Sequence, residues 1–333
     1  MPRTKSAPTK RAHENIAVIK TIKKQRTNVH DFEINENYVA LSTQGKRKSM
    51  EDSYDVYIDD EELFNIFSVF DGHGGYECAE FCSLEFNKKL YKNIMNEVAK
   101  DKNNTPILHD TIKKTFDEID RLYCKLCEAD NSRIDGSTAT VVIHDLRNNV
   151  LHCGSVGDSR AVLFRYGYEK DEFNNSDVNV GSSNNSTEVK LLNDIHLASG
   201  DNEKKRIVQV GGKIVNTNGV PRVEGVLMVS RAIGDAYLKK LIISEPDTSQ
   251  YKITKEEQER IVVIGSDGLF DFMEPSELCD IFRKCEDLND IQSCVQRSVG
   301  TSISRGSTDN VTLIAIPICE RLKNKKRSDS LCS

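Results

Sequence analysis

The stretch Ile66-Phe67-Ser68-Val69-Phe70-Asp71-Gly72-His73-Gly74-Gly75 holds the central pattern of this 333-residue chain. Its first five residues, mostly apolar, predict a buried β-strand, because the run is too short for a helix and glycines close it. The strand delivers an aspartate. Ile261–Ile264 does the same, leading to Asp267-Gly268-Leu269-Phe270-Asp271. Asp309 stands just before the apolar run Val311–Ile316, and Asp158 just beyond Leu151–Val156. Glu51 and Asp52 precede Asp55–Ile58. Acids at the ends of several strands converge when those strands share one sheet edge.

The sequence around these runs is strand-rich. Asn37–Thr43, Asp55–Asp59, Leu63–Phe70, Thr138–Leu146, Val150–Val156 and Arg160–Tyr166 carry β-branched and aromatic residues, and Asn148-Asn149 suits a hairpin turn. Helical runs alternate with them. Leu108, Ile112, Phe116, Ile119, Leu122, Tyr123 and Leu126 recur at the spacing of one buried helical face. Ser276–Lys284 and Asp290–Val299 read as two further helices. This order predicts an α+β layered domain and not a doubly wound parallel sheet. The expected domain covers residues 35–318, with a polar loop inserted at 171–188. Residues 1–34 read as a basic, disordered arm and 319–333 as a basic tail.

With 38% apolar and 29% charged residues, the chain has enough apolar side chains for a sizeable core. No unbroken apolar run approaches the ~20 residues of a membrane span, and the first thirty residues hold no signal-like block. The expectation is a protein of the cytosol, the nucleus or both, with no membrane partner. The ten cysteines lack the dense spacing of a secreted disulfide scaffold and read as reduced thiols. Net charge is −6, yet before Val29 eight basic residues face the single acid Glu14, and after Cys319 five face two acids. The body between the tails is therefore strongly acidic, which argues against nucleic acid as a partner.

Several carboxylates meeting at one point stay ionised only when cations neutralise them. Oxygen-only ligands select hard ions, Mg²⁺ or Mn²⁺, over zinc. The glycines after Asp71 and Asp267 read as tight-turn residues that let a backbone carbonyl reach a metal. Taken singly, an Asp-Gly is more often a turn than a ligand; the repetition at strand ends is what points to a metal site.

Arg47-Lys48-Ser49-Met50-Glu51-Asp52, Val69–Gly75, Gly136-Ser137-Thr138-Ala139, Gly157–Ala161, Ser230–Asp235, Ser266–Asp271 and Arg305–Asn310 occur in the order of the type 2C metal-dependent protein phosphatases, which the chain resembles from about Asn37 to Pro317. Asp135–Thr140 and Arg165-Tyr166 resemble the integrin-linked-kinase-associated branch. The resemblance implies a sandwich of two antiparallel sheets with helices outside, two Mg²⁺ or Mn²⁺ ions with a weaker third, and hydrolysis of phosphoserine and phosphothreonine in phosphoprotein substrates by a monomer. By match of motif, Asp71 bridges the metals, Gly72 offers its carbonyl, and Asp267 and Asp309 hold the second ion. Glu51 and Asp52 act through metal-bound waters, while Asp158 and Asp271, with Asp267, form the third site. Arg47 grips the phosphate, and His73 protonates the leaving oxygen. His196 departs from the family's pattern, because Leu197 follows it where Lys-Pro is usual; residues from about 196 to 240 match the family's flap.

Two other readings fit parts of the sequence. Cys127 and Arg133 have the Cys-x5-Arg spacing of cysteine phosphatases, but Glu128 and Asp130 between them would raise the thiol pKa and repel phosphate. A pseudophosphatase that binds partners without turnover is the non-catalytic alternative; the retained metal acids speak against it.

Overall fold

The computed structural model describes residues 30–100, 108–130, 133–166, 179–180, 187–254, 261–319 and 322. Two seven-stranded sheets pair antiparallel throughout. One runs β1 (His30–Asn35), β2 (Tyr38–Thr43), β16 (Val311–Pro317), β15 (Ile261–Gly265), β8 (Arg160–Tyr166), β10 (Thr187–Leu191), β9 (Asn179–Val180). The other runs β13 (Ile233–Gly234), β5 (Gly136–Ser137), β4 (Phe64–His73), β6 (Ala139–Asp145), β7 (Val150–Val156), β14 (Asp247–Lys252), with β3 (Asp52–Tyr57) also on β4. A separate hairpin joins β11 (Ile214–Thr217) to β12 (Val220–Val223). The helices are α1 (Glu77–Lys100), α2 (Leu108–Ala129), α3 (Asp201–Gln209), α4 (Asp267–Phe270), α5 (Pro275–Phe282) and α6 (Leu288–Ser304).

Strand periodicity builds the layers. On β4, Phe64, Ile66 and Phe70 face α1 and α2, where they pack on Phe86, Leu90, Ile112 and Phe116. The alternate residues Phe67 and Val69 meet Leu163, Val262, Ile264 and Ile314 of the opposite sheet. Val263, Leu313 and Ala315 point the other way, to Leu278, Phe282, Ile291 and Val295 on α5 and α6. Each sheet is buried on both faces, which is why these strands read as continuous apolar runs and not as alternating ones. The layers are helix, sheet, sheet, helix, an α+β sandwich as expected. The face predicted on α2 is real: Leu108, Ile112, Phe116, Ile119 and Tyr123 are all buried.

Several boundaries differ. β3 starts at Asp52 and not at Asp55, because Asp52 already pairs with Asp71. β4 does not stop at Phe70 but continues through Asp71 to His73, because β5 keeps pairing with Gly72 and His73. His30–Asn35, mostly assigned to the arm, forms an edge strand on β2, its backbone paired even though its side chains are largely exposed. Leu322 of the expected tail is buried against the α5–α6 layer. Within the inserted loop, Asn179–Val180 pairs with Thr187–Glu188. The remainder of that loop, residues 1–29, 320–321 and 323–333 lie outside the described residues.

Candidate active site

The acids meet where the two sheets open at one end. Asp71 on β4 stands directly opposite Asp52 on β3. Asp267 opens α4 just after β15, and Asp309 precedes β16, the antiparallel neighbour of β15. The Asp52 carboxylate accepts the hydroxyls of Ser266 and Thr312, both at 2.8 Å, and so ties the sheets together beneath the cluster. Asp71, Asp158 and Asp267 each offer an oxygen within 4.8 Å of the other two.

The glycines serve a purpose other than the expected tight turn. A Cβ on Gly72 would lie 2.5 Å from the Glu51 carbonyl oxygen, whose own partner is the Gly72 amide at 3.2 Å. A Cβ on Gly268 would lie 2.0 Å from the Asn310 carbonyl oxygen. Both are close-approach positions that bring the acid-bearing segments together. Asn310 reinforces them: its amide nitrogen donates to the carbonyls of Gln44 and Ser49, and its oxygen accepts from the Glu51 amide at 2.8 Å. Glu51 is held as well by the Ser49 hydroxyl, 2.9 Å away.

The electrostatics follow from that crowding. Loss of solvent, then Asp267, Asp52, Asp158 and Asp309, push the Asp71 carboxyl well above the ordinary range. Burial followed by Asp158 and Asp309 takes Asp267 up to about 8. Burial also raises Asp52 to about 7 against its two hydroxyl partners, and Asp158 to about 6. Asp271 is exposed at the margin, raised by desolvation and partly relieved by Arg160. Carboxylates that disfavour their own charge, with oxygen donors only, fit a hard divalent cation.

A cleft of about 240 Å³ opens over this cluster, lined by Arg47, Glu51, Asp71, His73, Asp158, Asp267 and Asp309 among others. Asp52 and Asp271 do not line it, and Asp52 lines a separate cavity with Met50 and Ser53. Arg47 bonds Asp309, and that partner raises its pKa. His73 Nε2 is 2.8 Å from Asp235 Oδ2. Burial opposes charge on His73, but Asp235, Asp158 and Asp135 outweigh it and raise its pKa. His196 is buried, bonds Asp247 at 2.9 Å and does not line the cleft.

Sequence reasoning assigned no part to Asp235, Asn310 or Arg222. The first two sat in motifs quoted above and could have been flagged there. Arg222, on the flap hairpin, lines the cleft and carried no local signal. The thiol rival has no site: Cys127 is buried, burial and Asp135 push it up to about 11, and Arg133 pairs with Asp130.

Comparison with known proteins bears on the family and the fold. The Protein phosphatase 2C family model matches residues 36–311. Probable protein phosphatase 2C 52 of Oryza sativa subsp. japonica is 33% identical over 279 residues, 83% of this chain and 49% of that protein. Probable protein phosphatase 2C 69 of Arabidopsis thaliana is 31% identical over 289 residues, 86% of this chain and 71% of that protein. The chain thus spans about half the length of the rice relative. Among solved structures, a serine-threonine phosphatase 2C from Toxoplasma gondii superposes with a TM-score of 0.67 at 20% identity, covering 87% of this chain and 98% of that one. A C. elegans sex determining protein gives 0.68 at 22% identity, covering 90% and 67%. At these identities the structures speak for the fold alone. With the family model matching residues 36–311, well over half of the sequence, the chain belongs to the protein phosphatase 2C family.

Proposed function

We propose that this chain is a protein serine/threonine phosphatase acting on phosphoserine and phosphothreonine of phosphoprotein substrates, with two Mg²⁺ or Mn²⁺ ions and a weaker third. The observation that carries the reading is the convergence of Asp71, Asp158 and Asp267 within 4.8 Å in a cleft that also holds Arg47 and His73. Asp71, the Gly72 carbonyl, Asp267 and Asp309 would hold the two main ions. Glu51 and Asp52 would act through waters, and Asp158, Asp271 and Asp267 would form the third site. Bound ions neutralise the acids and lower the pKa of a water toward neutrality.

The chain's own residues do the rest. Arg47 presents a planar fork that matches two phosphate oxygens. Its side chain is 56% exposed, so its contact with Asp309 is a rim ion pair of small worth that a phosphate can displace. His73 supplies the proton that a serine or threonine oxygen needs on departure. The proposed setting is the cytosol, the nucleus or both, with the chain acting as a monomer. Phosphate release from a phosphoserine peptide, after chelation and again with Mn²⁺ restored, tests the reading. Turnover that appears only with the ion is expected. A folded protein that binds Mn²⁺ yet releases no phosphate would instead be the non-catalytic scaffold.

A further inference from the structure

We propose that Asp235 is the positioning residue of His73: it holds the imidazole by Nε2 and leaves Nδ1 as the nitrogen that hands a proton to the departing substrate oxygen. This rests on the phosphatase reading above. Asp235 is fully buried, and its Oδ2 bonds His73 Nε2 at 2.8 Å. Its other oxygen, Oδ1, is buried without a hydrogen-bond partner among the described residues. A buried carboxylate whose hydrogen-bond partner is one imidazole is costly to keep for stability alone.

The backbone is arranged around this contact. Asp235 has φ +50°, in the left-handed region that non-glycine residues rarely occupy. Its amide donates to the Asp135 carbonyl at 3.0 Å. Next to it, the Gly234 amide donates to Asp120 Oδ1 at 2.9 Å, and Lys239 bonds both Asp120 and the Gly234 carbonyl. The loop is therefore fixed from α2 and β5, and the carboxylate is aimed by its main chain.

The register explains how the two residues meet. β5 lies between β4 and β13, so Gly136 stands opposite His73 on one side and Gly234 on the other. The His73 side chain reaches Asp235 across that glycine. A Cβ there would lie 2.3 Å from Asp235 Oδ2 and 2.7 Å from His73 Nε2, so the contact exists because residue 136 has no side chain.

Asp235→Asn keeps the shape, but its amide can donate as readily as accept, and the imidazole tautomer is no longer set. With saturating Mn²⁺, kcat on a phosphoserine peptide should fall ~10- to 100-fold, within the usual contribution of a proton donor. The loss on p-nitrophenyl phosphate, whose leaving group needs no proton, should be several-fold smaller. In a His73→Ala background the same substitution should cost less than about twofold more, because the two residues act as one unit. Equal loss on both substrates, or the full loss repeated without His73, would overturn the proposal and make Asp235 a structural residue. The wild-type protein supplies a test independent of any variant's folding. Nitrogen-15 spectra of the neutral imidazoles, with His73→Ala identifying the resonance, should show His73 protonated on Nε2; protonation on Nδ1 refutes the geometry. A wild-type protein that turns over neither substrate refutes the phosphatase reading instead, and the tautomer then decides the Asp235–His73 contact alone.

Discussion

Replacing Glu203 with alanine should loosen the segment expected to be the flap, residues 196–240, and leave the sandwich intact. Glu203 sits on α3 with its side chain only 9% exposed. Oε1 accepts two bonds from Arg231, at 3.1 and 2.7 Å; Oε2 accepts two from Arg206, at 3.2 and 2.9 Å, and one from the Ser230 hydroxyl at 2.8 Å. Burial opposes its charge, yet Arg231, Arg206 and Ser230 hold the carboxyl down at about 2. A depressed carboxyl contributes fully above its ordinary pKa and loses that contribution as pH falls toward about 2, so a measurement at pH 7 captures all of it. Removing one partner of a buried ion pair costs ~3–5 kcal/mol. Both arginines keep other partners, Asp247 and the Glu245 carbonyl for Arg231, and the Leu241 and Ser230 carbonyls for Arg206. The low end, ~3 kcal/mol, is therefore the expectation. The flap's own core is small (Ala198, Ile207, Val223, Val229, Ala232 and Ile242) and separate from the three larger clusters, so the loss should appear as local opening. At ~1.4 kcal/mol per tenfold, flap amides such as those of Val223 and Ala232 should lose roughly 100-fold in protection from hydrogen exchange. Amides of β4 and β15 should hold theirs. Equal loss in those strands, or less than about threefold in the flap, would refute this account of the flap's anchorage.

The acid cluster predicts an unusual pH dependence. Asp52 and Asp267 have folded pKa values raised to about 7 and about 8, so their stability contribution is full below the ordinary carboxylate pKa and is lost as pH climbs through those values. Metal-free protein should melt several degrees higher at pH 6 than at pH 8.5, and Mn²⁺ should remove most of the difference; a flat profile in a thermal scan would contradict the crowding. Asp267→Ala should weaken Mn²⁺ binding about tenfold or more by calorimetry, whereas His73→Ala should bind Mn²⁺ as before. Phe116→Ala, at a position with no exposure, should cost ~3–5 kcal/mol in denaturant unfolding. Iodoacetamide on native protein at neutral pH should leave Cys127 unmodified by mass spectrometry, because its thiol is buried and pushed up to about 11.

The features legible along the chain are local ones. Short apolar runs such as Val262–Ile264 and Leu313–Ile316 read as strands covered on both faces, and the α2 face follows from a period of 3.6 residues. The acids were legible because they sit beside such runs, Asp71 and Asp267 before a glycine and Asp158 after one, with Asp309 just ahead of Val311–Ile316. Strand number and the flap were less so: β14 carries the polar sequence Asp247-Thr248-Ser249-Gln250, and its pairing with β7 is a tertiary event. Likewise Gly72 and Gly268 look like turns in one dimension and prove to be points where two backbones nearly touch. That Asp235, more than 160 residues from His73, reaches its imidazole is a matter of packing and not of local sequence. That contact depends on a third strand, β5, contributing a glycine between them. Side-chain periodicity is set by neighbours along the chain and can be read from it. Which acid meets which base is set by strand order and register, and those are fixed only when the two sheets close on a common core.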